Sequence, residues 1–467
     1  MNRKFVSTAL AGAAALFLAG CSLAPTYERP AAPVPASYPG AQPANAGQST
    51  VSTLAWQDYF ADPRLVKLID TALANNRDLR VSVQNIEQAR AQFQIQRAGL
   101  FPALNATASD TRQRPSLTGT GVSQSYAVGL GFSAWEIDFF GRVSSLKDAA
   151  LAQFLATEEA RKATQISLIA SVANGWLTLL GDDDLLEITR QTLATRDESL
   201  KLSRLRFDNG VSSELDLRQA ESLAENARAS YALQQRQRVQ DENALALLLG
   251  APVPPEATEG ATPGLRGVAP MSDIPAGLPS DLLGERPDIR AAEQQLIAAN
   301  ANIGAARAAF FPRVTLTSSV GTASNEFSSL FHSGSSAWTF APQITLPIFD
   351  AGRNQAGLDS ARAAREIAVA QYEKSIQTAF REVADALAGK ATLGEQLRAL
   401  QAQTEAEQVR FKLSDLRYRN GVASGLDLLD AQRSLYSVQL ATVQAQQAQL
   451  QNQVGLYKAL GGGWATR

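Results

Sequence analysis

The chain has 467 residues, 45% of them hydrophobic and 19% charged, with a formal net charge of -2. This length points to two or three folding units, the charge balance gives no basic excess for nucleic acid, and a mean hydropathy of -0.13 excludes a bundle of membrane-spanning helices, each of which needs about 20 apolar residues. With one Cys and one His, disulfide frameworks and zinc sites are closed off; His332 lies in a Ser/Gly-rich loop stretch, and no convergent set of catalytic or metal-ligating side chains supports an enzyme.

In chain order, Arg3 and Lys4 precede an apolar run from Phe5 to Leu18, the pattern of a secretory signal over residues 1–20. The run is too short for a bilayer core of about 30 Å. Leu18-Ala19-Gly20-Cys21 resembles the bacterial lipobox, which implies cleavage before Cys21 and diacylglycerol plus acyl chains, such as palmitate, on that cysteine. Ser22 in place of an aspartate fits sorting to the outer membrane. Pro25, Pro30, Pro33, Pro35, Pro39 and Pro43 keep the following stretch extended, so residues 21–55 read as a lipidated strap leading to a body that starts near Trp56.

The body is an internal duplication. Arg97-Ala98-Gly99-Leu100-Phe101-Pro102 matches Arg307-Ala308-Ala309-Phe310-Phe311-Pro312, Gly141-Arg142 matches Gly352-Arg353, and Arg206-Phe207-Asp208-Asn209-Gly210-Val211 matches Arg417-Tyr418-Arg419-Asn420-Gly421-Val422. Asp78-Leu79-Arg80 and Leu249-Gly250 are matched in turn by Asp288-Ile289-Arg290 and Leu460-Gly461. Repeat 1 therefore covers residues 56–250 and repeat 2 residues 288–467, joined by a Pro-rich connector over 251–287. Each half reads as helix, two strands, very long helix, turn and helix. The first helix stops at Phe101-Pro102 or Phe311-Pro312. The period then changes to two. Tyr126, Val128, Leu130 and Phe132 alternate with small residues, as do Val314, Leu316 and Val320, and Trp338, Phe340, Ile344, Leu346 and Ile348; Leu104 to Ser109 alternates more weakly. Membrane barrel strands alternate in this way, and so does a soluble half-buried sheet. Four strands cannot close a barrel, and an open edge in lipid would leave backbone groups unpaired. Either the sheet is soluble or several copies pool their strands.

In the long helices, Leu186, Leu193, Leu200 and Phe207 fall seven apart, as do Leu429, Tyr436, Val443, Leu450 and Tyr457, which predicts helices packed along their length. Gly181-Asp182-Asp183-Asp184 is expected to interrupt the first long helix, with Gly389 and Gly394 nearby in the repeat frame of the second. Asn209-Gly210 and Asn420-Gly421 supply the left-handed residue that ends a helix, leaving Gly210, Val211, Ser212, Gly421, Val422 and Ala423 at exposed tips.

This organisation resembles the outer-membrane factor family of TolC/OprM-like efflux channels, from Cys21 to the end. The most specific stretch is Arg417 to Arg433, and Leu456-Tyr457-Lys458-Ala459-Leu460-Gly461-Gly462-Gly463-Trp464 is similar to the OprM-like branch. The resemblance implies a mixed α and β membrane protein. It further implies a homotrimer in which four strands per chain close a 12-strand outer-membrane β-barrel and the helical hairpins form a periplasmic α-barrel. It implies a lipid-anchored, passive duct for drugs or other small molecules, with no cofactor, whose tips dock a periplasmic adaptor joined to an inner-membrane pump. By matching the motif, Leu426, Asp427 and Asp430 fall at the periplasmic aperture and Tyr418 and Arg433 at gate-closing links; Ala423 departs from the arginine that TolC carries there. Asp427 and Asp430, three apart on one helical face, also suit solvated surface acids. A type I protein secretion duct shares the architecture, and a periplasmic coiled-coil scaffold shares the hairpins without the strands or lipobox.

Overall fold

A proline stops the first helix of each repeat, and a capped helix begins after the second strand. The computed structural model describes residues 23–38, 54–114, 121–258, 264–274 and 284–464; the signal segment and Cys21 lie outside them. Repeat 1 contains α1 (Pro63–Asn75), α2 (Arg77–Ala98), β1 (Asn105–Gln113), β2 (Ser123–Ile137), α3 (Arg142–Asp208) and α4 (Glu214–Leu249). Repeat 2 contains α5 (Pro287–Ala308), β3 (Arg313–Ser324), β4 (Ser336–Thr345), α6 (Arg353–Arg419) and α7 (Gly425–Ala459). The predicted order holds, with α1 as an addition. Asn76 separates α1 from α2, its Oδ1 accepting from the Leu79 amide at 2.9 Å and so capping α2. Leu346 and Ile348, expected in the last strand, fall beyond its end at Thr345, where Pro347 cannot extend a ladder.

The chain divides into two compact units that cut across the repeats. The first takes Met1–Ala32, Gln84–Glu159 and Arg290–Lys374. It holds an antiparallel sheet in the order β1-β2-β3-β4. Register puts Ala106, Leu130, Val320 and Trp338 in one cross-strand row and Ile137, Val314 and Ile344 in another. The opposite face carries rows such as Gly129, Gly321 and Ala337, or Gly131, Ser319 and Thr339. The apolar face is bare within the chain, Trp338 being 76% and Ile344 70% exposed. Alternation in β2 does not run straight through: the ladder shifts between Phe132 and Trp135. Ala134 there has φ 52°, and its amide donates to Thr317 Oγ1 at 3.0 Å. This bulge keeps Trp135 and Ile137 on the same face as Leu130 and Phe132.

Two aspartates cap the long helices, Asp138 accepting from the Val143 and Ser144 amides and Asp350 from those of Gly352 and Asn354. In the same unit the N-terminal strap lies on α5. Arg29 and Tyr27 both donate to Glu293, Arg29 at 2.7 and 2.8 Å, while Asn300 and Arg307 donate to the Pro25 and Leu23 carbonyls.

The second unit takes Pro33–Val83, Ala160–Ile289 and Ser375–Arg467. Trp56, Tyr59, Phe60, Leu65, Leu68, Trp176, Leu179 and Tyr457 are fully buried, each contributing about 1.5–3 kcal/mol. The Tyr59 and Tyr457 rings stack at 4.0 Å, and their hydroxyls donate to the Gln453 and Leu54 carbonyls. The duplication closes both repeats alike: Asn76 Nδ2 donates to the Leu248 carbonyl at 2.8 Å, and Arg286, at the equivalent place, donates to the Ala459 carbonyl at 2.6 Å.

The expected break at Gly181-Asp182-Asp183-Asp184 does not occur; α3 runs unbroken through it, and α6 runs unbroken through Gly389 and Gly394. Gly181 and Gly389 serve close approach. A Cβ at Gly181 would overlap the Gln447 amide, and one at Gly389 the Asn452 amide. The three acids bond sideways, Asp182 accepting from Gln234, Asp183 from Arg238 and Asp184 from the Leu265 amide. Burial, with Asp241 beside it, pushes the Asp182 carboxyl up to about 7. A folded pKa above the unfolded value means stability that is present at low pH and lost as pH rises from about 4 through about 7. Asp182→Asn should therefore stabilise the chain at pH 8 by about 1.4 kcal/mol or more, the worth of one pKa unit, and give no gain at pH 4. Denaturant midpoints at the two pH values check this.

Candidate functional site: the hairpin tips

The two tips have the same local chemistry. Gly210 has φ 72° and Gly421 φ 73°, a region that side chains disfavour. The Gly210 amide donates to the Phe207 carbonyl and the Val211 amide to that of Arg206; Gly421 and Val422 repeat the pair on Tyr418 and Arg417. This is the Schellman closure. The next helix then starts on a serine. The Ser213 hydroxyl accepts from the Asp216 amide, and Asp216 accepts in return from the Ser213 amide. Ser424 accepts from the Asp427 amide at 3.3 Å, and its hydroxyl donates to the Asp427 carboxylate at 3.0 Å. Val211, Leu215, Val422 and Leu426 stand exposed around the turns, and Ser212 and Ala423 are half-buried.

The proposed aperture acids are not equivalent. Asp427 is held by Ser424, as Asp216 is by Ser213, so both repeats use this acid to start a helix. Asp430 has no acidic counterpart in repeat 1, where Gln219 occupies the place. It pairs with Arg410 of α6, and this carboxylate raises the Arg410 pKa. Arg410 also meets Glu407 at 3.2 Å and Ser434. Leu428, Leu429 and Ala431 are buried, so Leu426, Asp427, Asp430 and Arg433 share the outward side of α7.

Tyr418 and Arg433 are not brought together as partners. Tyr418 is buried and held by Arg206 of the other hairpin, whose guanidinium lies 4.6 Å from the ring centroid and donates to the Tyr418 carbonyl. Arg433 is exposed and makes no hydrogen bond or ion pair among the described residues. Sequence reading passed over Arg206, although it opens the motif that matches Arg417 in the other repeat.

The family model described as "outer membrane efflux protein" matches residues 68–251 and 278–462, one stretch in each half of the duplication. The chain belongs to the outer membrane efflux protein family. It is 47% identical over 472 residues to the toluene efflux pump outer membrane protein TtgC of Pseudomonas putida, covering 99% of this chain and 96% of that protein. It is 48% identical to the outer membrane protein OprJ of Pseudomonas aeruginosa, over 96% of this chain and 94% of that one. The crystal structure of the open state of the Neisseria gonorrhoeae MtrE outer membrane channel superimposes with a TM-score of 0.84 at 44% identity, covering 95% of this chain and 99% of that one. The protein is thus the outer membrane channel of an efflux system, of the OprJ/TtgC type in the OprM-like branch.

Proposed function

We propose that three copies of this chain form a passive duct that carries small molecules from an inner-membrane pump, through a periplasmic adaptor, to the outside. One observation carries this reading: a four-stranded sheet with an exposed apolar face and two open edges, β1 and β4. In lipid those edges need partners, and three copies supply a 12-strand closed barrel within the size range of such proteins. The toluene in the name of the TtgC relative favours small apolar cargo over protein. As a member of the outer membrane efflux protein family, the chain acts as a conduit. The lipid anchor belongs to the same reading, with Cys21 acylated in the mature protein; mass spectrometry should find the modified N-terminal cysteine.

Expression in a strain lacking its outer membrane efflux channels, together with the cognate adaptor and pump, should restore resistance to small apolar toxicants. The detergent-purified protein should have the mass of a trimer. A chain that folds as a monomer without detergent would overturn the proposal.

The tips fit the docking and gating ends of such a duct. Gly210, Val211, Ser212, Gly421, Val422 and Ala423 form the adaptor-facing turns, and Leu426, Asp427 and Asp430 line the aperture, where threefold symmetry makes a ring of six carboxylates that favours cations. Asp427→Ala with Asp430→Ala should lower cation selectivity in planar bilayers. Tyr418→Phe with Arg433→Ala should instead raise resting conductance, as should Arg206→Ala. Unchanged conductance and selectivity in all three variants would leave these side chains with no part in the aperture or its gating.

A further inference from the structure

Arg196 is a buried cation without a counter-charge among the described residues. It lies on α3 and is 3% exposed. Its Nη1 donates to the Leu223 carbonyl at 3.1 Å and to Asn226 Oδ1 at 3.4 Å, and its guanidinium sits 5.4 Å from the Tyr436 ring centroid. None of these groups is negative, and Nε has no hydrogen-bond partner among the described residues. Asp197, next to it in the chain, pairs with Arg228, and Glu407 and Asp430 pair with Arg410. Burial lowers the Arg196 pKa, and nearby Arg433 adds to the positive field. A buried charge left uncompensated is strongly disfavoured.

A second orphan lies at the same place. Gln432 of α7 is 6% exposed. Its Nε2 donates to the Ser199 hydroxyl at 2.9 Å, and its Oε1 has no partner among the described residues. Arg196 and Gln432 both line one cavity of about 160 Å³ between α3, α6 and α7, with Phe411 and Tyr436 among its walls. At about 30 Å³ per water, it has room for a small ion with a few waters. The O and N of a glutamine amide are interchangeable in assignment. Turned over, Gln432 would accept from the Ser199 hydroxyl and present its NH2 to the cavity.

We propose that this cavity binds a small monovalent anion, of halide to acetate size, beside the Arg196 guanidinium and the Gln432 side chain. The anion neutralises the guanidinium and bridges α3 to α7, linking the two hairpins of one chain. The site is independent of cargo, and its test does not rely on transport.

Crystals of the full chain in detergent, soaked in bromide, should show anomalous density in this cavity within about 3.5 Å of a guanidinium nitrogen of Arg196. In solution, the thermal midpoint of the wild type should be several degrees higher in chloride than in gluconate at matched ionic strength. Arg196→Met should remove that difference. Three outcomes would overturn the proposal: no bromide at the site, a carboxylate of a neighbouring copy seated on Arg196, or an unchanged chloride effect in Arg196→Met. The bromide experiment uses the unaltered protein, so it stands even if the variant folds poorly.

Discussion

Ile344→Arg should destabilise the assembled channel by about 2–4 kcal/mol if the residue lies near the membrane midplane. Ile344 is in β4, in a row with Val314 and Ile137, and 70% exposed within the chain. On a soluble sheet, an arginine at so open a position would be nearly neutral. In a bilayer it removes an apolar contact and places a charge in hydrocarbon. Gln343→Arg, one residue away, projects to the opposite face, and there the effect should be small. Urea unfolding of the protein reconstituted in lipid vesicles separates the two cases. Equal tolerance at both positions would mean that this sheet does not meet lipid.

Arg286→Met should lower the stability of the second unit by about 3 kcal/mol, near the low end for breaking a buried charge cluster. The Arg286 side chain is 8% exposed and meets Asp288 at 2.7 Å and Glu382 at 3.0 Å, besides the Ala459 carbonyl. Burial opposes its charge, but the two carboxylates outweigh burial and raise its pKa. Methionine keeps much of the side-chain bulk and none of the donors. The carboxylates retain some water, being about 43% and 34% exposed, which keeps the loss below that of a fully buried pair. Arg286→Lys should fall between, because one ammonium cannot serve three acceptors in fork geometry. Denaturant midpoints should rank wild type, lysine and methionine in that order.

The parts legible in the sequence are those set by local rules. Prolines stop helices, alternation marks strands, and Asn-Gly marks the tips. The duplication states each signal twice, Phe101-Pro102 recurring as Phe311-Pro312 and Gly210 as Gly421. Of the second heptad series, Leu429, Val443 and Tyr457 are buried and Tyr436 and Leu450 half-buried. What could not be read depends on partners far along the chain. Gly181 signals a break by propensity, yet Gln447 of α7 needs the space. Arg286 and Asn76 differ in charge and size, and only their shared acceptor position, at the end of a hairpin, shows them to be equivalent. Arg196 looks like one more surface cation of a polar helix until α7 covers it. At the tips, the motif located Asp427 but gave no hint that its carboxylate is tied to Ser424, whereas Asp430 faces Arg410 across the hairpin.

The bulge in β2 has a consequence for how this strand tolerates changes in length. Trp135 and Ile137 follow Phe132 with an odd count, and Ala134 absorbs the difference. Deleting Ala134 would restore a regular ladder, with Ser133 opposite Thr317, and would leave Trp135 opposite Leu316 and Ile137 opposite Val314 on the apolar face. The same one-residue loss at Ala127, which is regularly paired on both sides, would instead turn the side chains on one side of it to the opposite face. Insertions and deletions are therefore unequal along β2: at the bulge a deletion costs no side chain its face, and within the regular ladder it exchanges inside for outside.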